Sequence, residues 1–109
     1  MPTVYKNLGQ SNPVSGTLTT LYTVPSATST VCSSISVCNQ GSTDTTFRVS
    51  VAIGGAADTT AQYLYYDMAI SAKDTFIATI GITLATTDII RVYSGNSLLS
   101  FLLFGSELT

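Results

Sequence analysis

The side chains of this chain that could do chemistry are few, and their spacing narrows what they could do. The sequence has no histidine and no tryptophan, ten charged residues among 109, two cysteines and six tyrosines. Without histidine, neither a Ser-His-Asp nor a Cys-His nucleophile can be assembled. The carboxylates are Asp44, Asp58, Asp67, Asp74, Asp88 and Glu107. Asp44, Asp58, Asp74 and Asp88 fall in turns just before strand-like runs, where Asp commonly caps its own backbone. Only Asp67 and Glu107 lie elsewhere, so no acid pair is spaced for shared proton transfer. A calcium site at Asp44 or Asp58 would need several further loop oxygens brought together. Gly54-Gly55 lacks the strand, Gly-rich loop and helix of a phosphate cradle. The expectation is a non-enzyme with no catalytic residue, no cofactor and no metal.

Cys32 and Cys38 lie six apart in one strand-like run. Along an extended strand they would sit roughly 20 Å apart, beyond the Cα separation of about 7 Å that a disulfide tolerates. Both should be free thiols, and even spacing places them on the same face. With no histidine and no further cysteine, a zinc site within one chain has too few ligands. Reduced thiols fit assembly in a reducing cytoplasm.

The tyrosines of Gln62–Met68 (QYLYYDM) are denser than anything else in the chain. Alternation puts Tyr63 and Tyr65 on one face, and Leu64 and Tyr66 on the other. Two readings stand side by side: a sandwich core with hydroxyls reaching outward, or a protein contact, where tyrosine is enriched.

The elements that must position these residues are strands. Thr17–Val24 alternates and ends at Pro25, which cannot continue a ladder from a central position. Thr30–Cys38 alternates, with Val31, Ser33, Ile35 and Val37 on one face. Thr45–Ile53 is the clearest strand, with Phe47, Val49, Val51 and Ile53 expected in the core and Thr46, Arg48 and Ser50 outside. Further strands follow over Gln62–Met68, Thr75–Ile80 with an extension to Leu84, Asp88–Tyr93 and Ser97–Phe104. The last is apolar on both faces and so should be central or at an interface. Seven or eight strands at roughly ten-residue spacing predict an all-β fold, a single antiparallel β-sandwich of jelly-roll or Ig-like order. Residues 1–16, with Pro2, Gly9, Pro13 and Gly16, read instead as an extended N-terminal arm, with room for one short strand around Val4–Leu8. Residues 17–109 are the sandwich domain. The arm's isolated apolar residues Val4, Tyr5 and Leu8 are expected to meet a partner rather than the core.

The bulk composition excludes several function classes. Net charge is −2, and Lys6, Arg48, Lys73 and Arg91 are dispersed, so the basic stripe that nucleic acid requires is missing. No apolar run approaches the roughly 18 residues of a membrane span, and the N-terminus has no secretory signal pattern. The polar surface comes from 18 Thr and 14 Ser. Hydroxyls with little charge suit a surface packed against other protein.

Several stretches together resemble a family of small virion proteins of tailed bacteriophages. They are GQSNP (Gly9–Pro13), LYTVP (Leu21–Pro25), VCNQGST (Val37–Thr43), FRVSV (Phe47–Val51), YYD (Tyr65–Asp67), DTF…GITLATTDIIRVY (Asp74–Tyr93) and FGSEL (Phe104–Leu108). The resemblance spans nearly the whole chain. It implies a virion structural role, as a head decoration (cement) protein or a tail or fibre accessory. It implies a major capsid protein or another virion protein as partner, and assembly in the host bacterial cytoplasm. A homo-oligomer is expected, and trimers suit the three-fold positions of icosahedral shells. A carbohydrate-binding module is the third reading, weakened because Trp is absent. The candidate interface residues are Val4, Tyr5, Leu8, Tyr63, Tyr65 and Tyr66.

Overall fold

A computed structural model describes residues 2–109. Met1, the first residue of the expected arm, lies outside the described residues. Eight strands run in chain order: β1 Thr3–Ser11, β2 Thr19–Thr23, β3 Ser29–Asn39, β4 Thr45–Ala52, β5 Tyr63–Ile70, β6 Thr75–Leu84, β7 Ile89–Ser94 and β8 Leu99–Leu108. They form two antiparallel four-stranded sheets, ordered β1-β8-β3-β6 and β2-β7-β4-β5. Only β4 and β5 are consecutive strands sharing a sheet; every other connection crosses between sheets. This doubled Greek-key order is that of a jelly roll and not of the Ig-like alternative.

The core is the product of period-two alternation on both inner faces. Sheet β1-β8-β3-β6 supplies Ile35, Val37, Leu99, Phe101 and Leu103; sheet β2-β7-β4-β5 supplies Phe47, Val49, Ile90 and Val92. All are essentially inaccessible to water. Phe47 joins the layers, with ring centroids 5.4 Å from Phe76 and 6.2 Å from Phe101 across the gap, and 6.0 Å from Tyr65 on its own sheet. The tilted and edge-on geometries suit the ring quadrupoles. The last strand, apolar on both faces, is central as expected, between β1 and β3.

One irregularity reshapes the first sheet. On β1, Asn7 pairs with Phe104 and Gly9 with Leu103, so Leu8 is an extra residue. On β3, Cys32 pairs with Gly105 and Ser34 with Phe104, so Ser33 is extra. On β6, the partners of Cys32 and Ser34 are Ile82 and Thr79, so β6 also gains a residue, with Gly81 at φ +56°. Three bulges thus cross the sheet at one level. Each reverses the alternation of its strand or bends it.

Three sequence expectations change as a result. Val31 and Ser33 do not share the face of Ile35 and Val37: both are exposed, while Thr30 and Cys32 turn inward. Cys32 and Cys38 therefore lie on opposite faces, Cys32 buried and Cys38 half-buried; both are free thiols. The arm expected over residues 1–16 is extended but not separate from the domain. Its Thr3–Ser11 pairs along β8 as an edge strand, and the bulge drives Leu8 into the core. Gly9 packs so close to the Leu21 carbonyl that a Cβ would collide with it.

On β4, Phe47 and Val49 are buried and Val51 is half-buried against the core, but Ile53 is 78% exposed. The strand stops at Ala52, and Gly54 (φ +64°) and Gly55 (φ +73°) turn the chain back. The loop this opens folds over the outer side of β4, where Arg91 donates to the carbonyls of Ala56 and Gly55. Ser50 and Ala52 are buried beneath it.

Candidate interaction surfaces

The turn carboxylates have structural work. Asp88 accepts hydrogen bonds from the Ala85 and Gly54 amides at 2.9 and 2.8 Å. Asp44 accepts from the Ala72 amide, and Asp74 from that of Thr75. No group of three or more acidic, Cys or His side chains converges among the described residues.

One carboxylate is placed differently. Glu107 on β8 faces the inter-sheet space, 2.8 Å from the Lys6 ammonium. The Tyr22 hydroxyl donates to Glu107 at 2.5 Å and lies 2.7 Å from the Thr30 hydroxyl. A carboxylate only accepts, so the Tyr22 proton goes to Glu107 and Thr30 donates to Tyr22. Lys6, then Tyr22, hold the Glu107 carboxyl below the usual range. Burial, then the Glu107 hydrogen bond, push the Tyr22 phenol far above its usual range. This knot ties β1, β2, β3 and β8 together at one end of the sandwich, and none of its members is free to act on a substrate.

The tyrosine strand divides in a way alternation does not foresee. Register slips between Phe47 and Val49, and again between Val49 and Ser50, give β5 two extra residues. Tyr65 is half-buried and packs against Phe47 and Phe76. Tyr63 meets Tyr66 instead, edge-on at 5.0 Å. Arg48 lies over the rings of Tyr66 and Tyr93, at 4.1 and 4.4 Å. Asp67, left-handed at φ +52°, brings its carboxylate 2.7 Å from Arg48 Nε. Asp67 and the two phenols hold the guanidinium firmly protonated. Burial, then the neighbouring Asp58, raise the Tyr63 phenol. FRVSV, YYD and the RVY of the long motif thus meet in one cluster on the outer face of the second sheet. It is a self-satisfied brace, with one face of two rings already covered by Arg48.

The outer face of β1-β8-β3-β6 is of another kind. Tyr5 (85% exposed), Val31 (36%), Phe104 (36%) and Ile77 (70%) project from it. Between them stand Ser34, Ser36, Ser100, Thr75, Thr79 and Thr83. Among the described residues, Lys6 is the one charged side chain that borders this face. Lys6 turns to Glu107 and reaches only the rim; Arg48, Asp67 and Arg91 lie on the opposite sheet; the rest sit in loops. A shallow depression runs along the bulge row between Tyr5, Val31, Ser33, Phe104 and Ser106, with Lys6 at its border. Its floor exists because Gly105 has no Cβ: one would strike the Val31 carbonyl.

Of the expected interface residues, Tyr5 and Val4 (51% exposed) are open at the β1 edge. Tyr66 is exposed and Tyr63 half-buried, both in the Arg48 cluster. Leu8 and Tyr65 are not available as contacts, because Leu8 belongs to the core and Tyr65 leans on it. Sequence reasoning missed Val31, Phe104 and Ile77. The signal that could have found the first two is Gly105 inside a strand pattern, which marks a bulge.

No family model matches the chain, and no curated protein matches it. Among solved structures it is similar to a chain from the structure of infectious bursal disease virus, Gx strain, with a TM-score of 0.55 and 14% identity. The match covers 97% of this chain but 30% of that one, so the chain spans less than a third of its structural neighbour. The likeness is one of fold.

Proposed function

We propose that this chain is a non-enzymatic virion structural protein, a decoration (cement) subunit on the head of a tailed bacteriophage. The observation that carries the reading is the uncharged, hydroxyl-rich outer face of β1-β8-β3-β6, with Tyr5, Val31 and Phe104 around its central depression. Such a face can be buried against another protein without desolvating an ion, the costliest step in forming an interface. The one charge beside the depression, Lys6, is paired with Glu107. The jelly roll, a fold that capsid and lectin domains share, and the likeness to a chain of a virus structure agree with a shell role. So does the motif resemblance. Sugar binding is the weaker reading, since Arg48 covers one face of both Tyr66 and Tyr93, where a sugar would stack.

The mechanism is mechanical. A subunit lying across a seam between shell subunits adds buried area that must be lost before the seam opens. The test is co-sedimentation of the purified chain with undecorated heads, alongside Val31→Asp and Phe104→Asp. Both positions are exposed, so these variants should fold. Wild type should bind in head-scale copy number and the variants should not. Binding confined to tails would favour a tail or fibre adaptor, and full binding by both variants would remove the face from the account.

A further inference from the structure

The two sheets have four edge strands, and three of them are blunted. β1 carries Lys6 and a bulge at Leu8. β2 is five residues long with a register slip of its own, ahead of Pro25. β5 has two slips and Asp67. Charges, bulges and shortness are what keep edges from pairing with other chains. β6 has none of these over Thr75–Ile80 (TFIATI): it is uncharged, free of Gly and Pro, and regularly paired to β3 from Cys38 to Ser34. Ile77 at its middle is 70% exposed.

We infer that this edge pairs with the same edge of a second copy, antiparallel about a two-fold axis at Ile77. The sequence around Ile77 is close to self-complementary under that operation. Ile77 would face Ile77, Thr75 would face Thr79, and Phe76 would face Ala78. The outer side would carry Ile–Ile and Thr–Thr pairs, both favourable across strands. The inner side would set a large side chain against a small one. No like charges oppose each other.

The backbone polarity also fits. The Asn39 amide donates to the Asp74 carbonyl at 2.9 Å, which turns Asp74, and by alternation Phe76 and Ala78, toward β3. Thr75, Ile77 and Thr79 therefore direct their amides and carbonyls to the free edge. Ile77 of each copy would exchange both bonds with the other, and each Thr79 amide would reach the opposing Thr75 carbonyl. The Thr75 amide can stay with the Asp74 carboxylate, 2.8 Å away. The result is one sheet of eight strands with β6 of both copies at its centre. This inference does not rest on the virion reading.

Sedimentation of the full chain over a range of concentrations is the first measurement, and a monomer–dimer equilibrium is expected. Ile77→Lys would place two ammonium groups face to face at the axis and should weaken dimerisation by at least about tenfold. Melting tracks whether it still folds. Ile77→Cys, in a Cys38→Ser background, should form a disulfide-linked dimer on mild oxidation, because residues facing each other in a hydrogen-bonded pair have Cα atoms about 5.5 Å apart. Thr83→Cys, beyond the bulge on the same strand, should stay monomeric. A wild-type chain monomeric throughout, Ile77→Lys dimerising as tightly as wild type, or equal cross-linking at both positions would each overturn the inference.

Discussion

At the scale of single residues, the Tyr22–Glu107–Lys6 knot sets how the fold answers to pH. Tyr22→Phe removes the donor from a buried carboxylate. Denaturant melts should show a loss of roughly 1.5–3 kcal/mol, the range for hydrogen bonds to charged groups. Glu107 takes up a proton more readily in the unfolded chain, near the usual glutamate value of about 4.3, than in the fold, where Lys6 and Tyr22 favour the ionised form. Its contribution is therefore complete above that value and is lost as pH falls through the lower, folded-state value. Melting temperatures of Glu107→Gln should track those of wild type with a constant offset near neutrality and converge on them in acid. A constant offset at every pH would mean that the fold does not favour the ionised carboxylate over the unfolded chain. The thiols give an independent check on β3. Burial pushes Cys32 up to about 11, so in the native chain an alkylating reagent should modify Cys38 and leave Cys32. Both should react in denaturant, as expected of free thiols. Equal native reactivity would contradict the inward turn of Cys32.

At the scale of elements, the bulge row decides what the sheet presents. Gly105→Ala would drive a methyl into the Val31 carbonyl, and melts should show a loss of roughly 1–3 kcal/mol or more, the range for overpacking. Deleting residues 1–13 should do worse. It strips β1 from β8, removes Leu8 from the core and leaves Glu107 without Lys6. The truncated chain should lose its cooperative melt or fail to stay soluble, whereas an arm outside the domain would be dispensable. Alternation made most of the strands legible, and apolarity on both faces correctly marked β8 as central. What alternation cannot carry is a single inserted residue. The extra residues on β1, β3 and β5 invert the faces of Leu8, Val31, Tyr63 and Cys32, so uniform alternation misassigns sides in the arm, in β3 and in the tyrosine strand. Pairing order was equally out of reach. Period two says which side of a strand is wet but not which neighbour it takes, so it is compatible with both jelly-roll and Ig-like orders, and only the strand order separates them. The Arg48 cluster had motif residues as its trace, yet their convergence depends on that order.

At the scale of the whole molecule, the two surfaces are parts of one sheet. β6 is the edge of the sheet whose outer face is proposed to meet the shell, so pairing across Ile77 would bring two uncharged faces side by side. A dimer would then engage its target twice. Linked weak contacts gain apparent affinity of the order of 10²- to 10⁴-fold without any new contact, provided the geometry allows both to engage. This yields a prediction that separates the two proposals. Ile77→Lys removes the pairing and leaves the depression between Tyr5, Val31 and Phe104 unchanged, but sets an ammonium on the same outer face, so it is compared with Ile77→Ser, which removes the Ile–Ile pair without adding a charge. Both should bind undecorated heads far more weakly than wild type, whereas the disulfide-linked Ile77→Cys dimer should bind at least as tightly as wild type. Val31→Asp should do the reverse, dimerising normally while failing to bind. If Ile77→Lys is monomeric yet binds at wild-type strength, each subunit acts alone on the shell and the pairing serves something else. If Val31→Asp is dimeric and still binds, the face is wrong while the edge stands. Measured together, sedimentation and particle binding of these chains test the edge and the face independently.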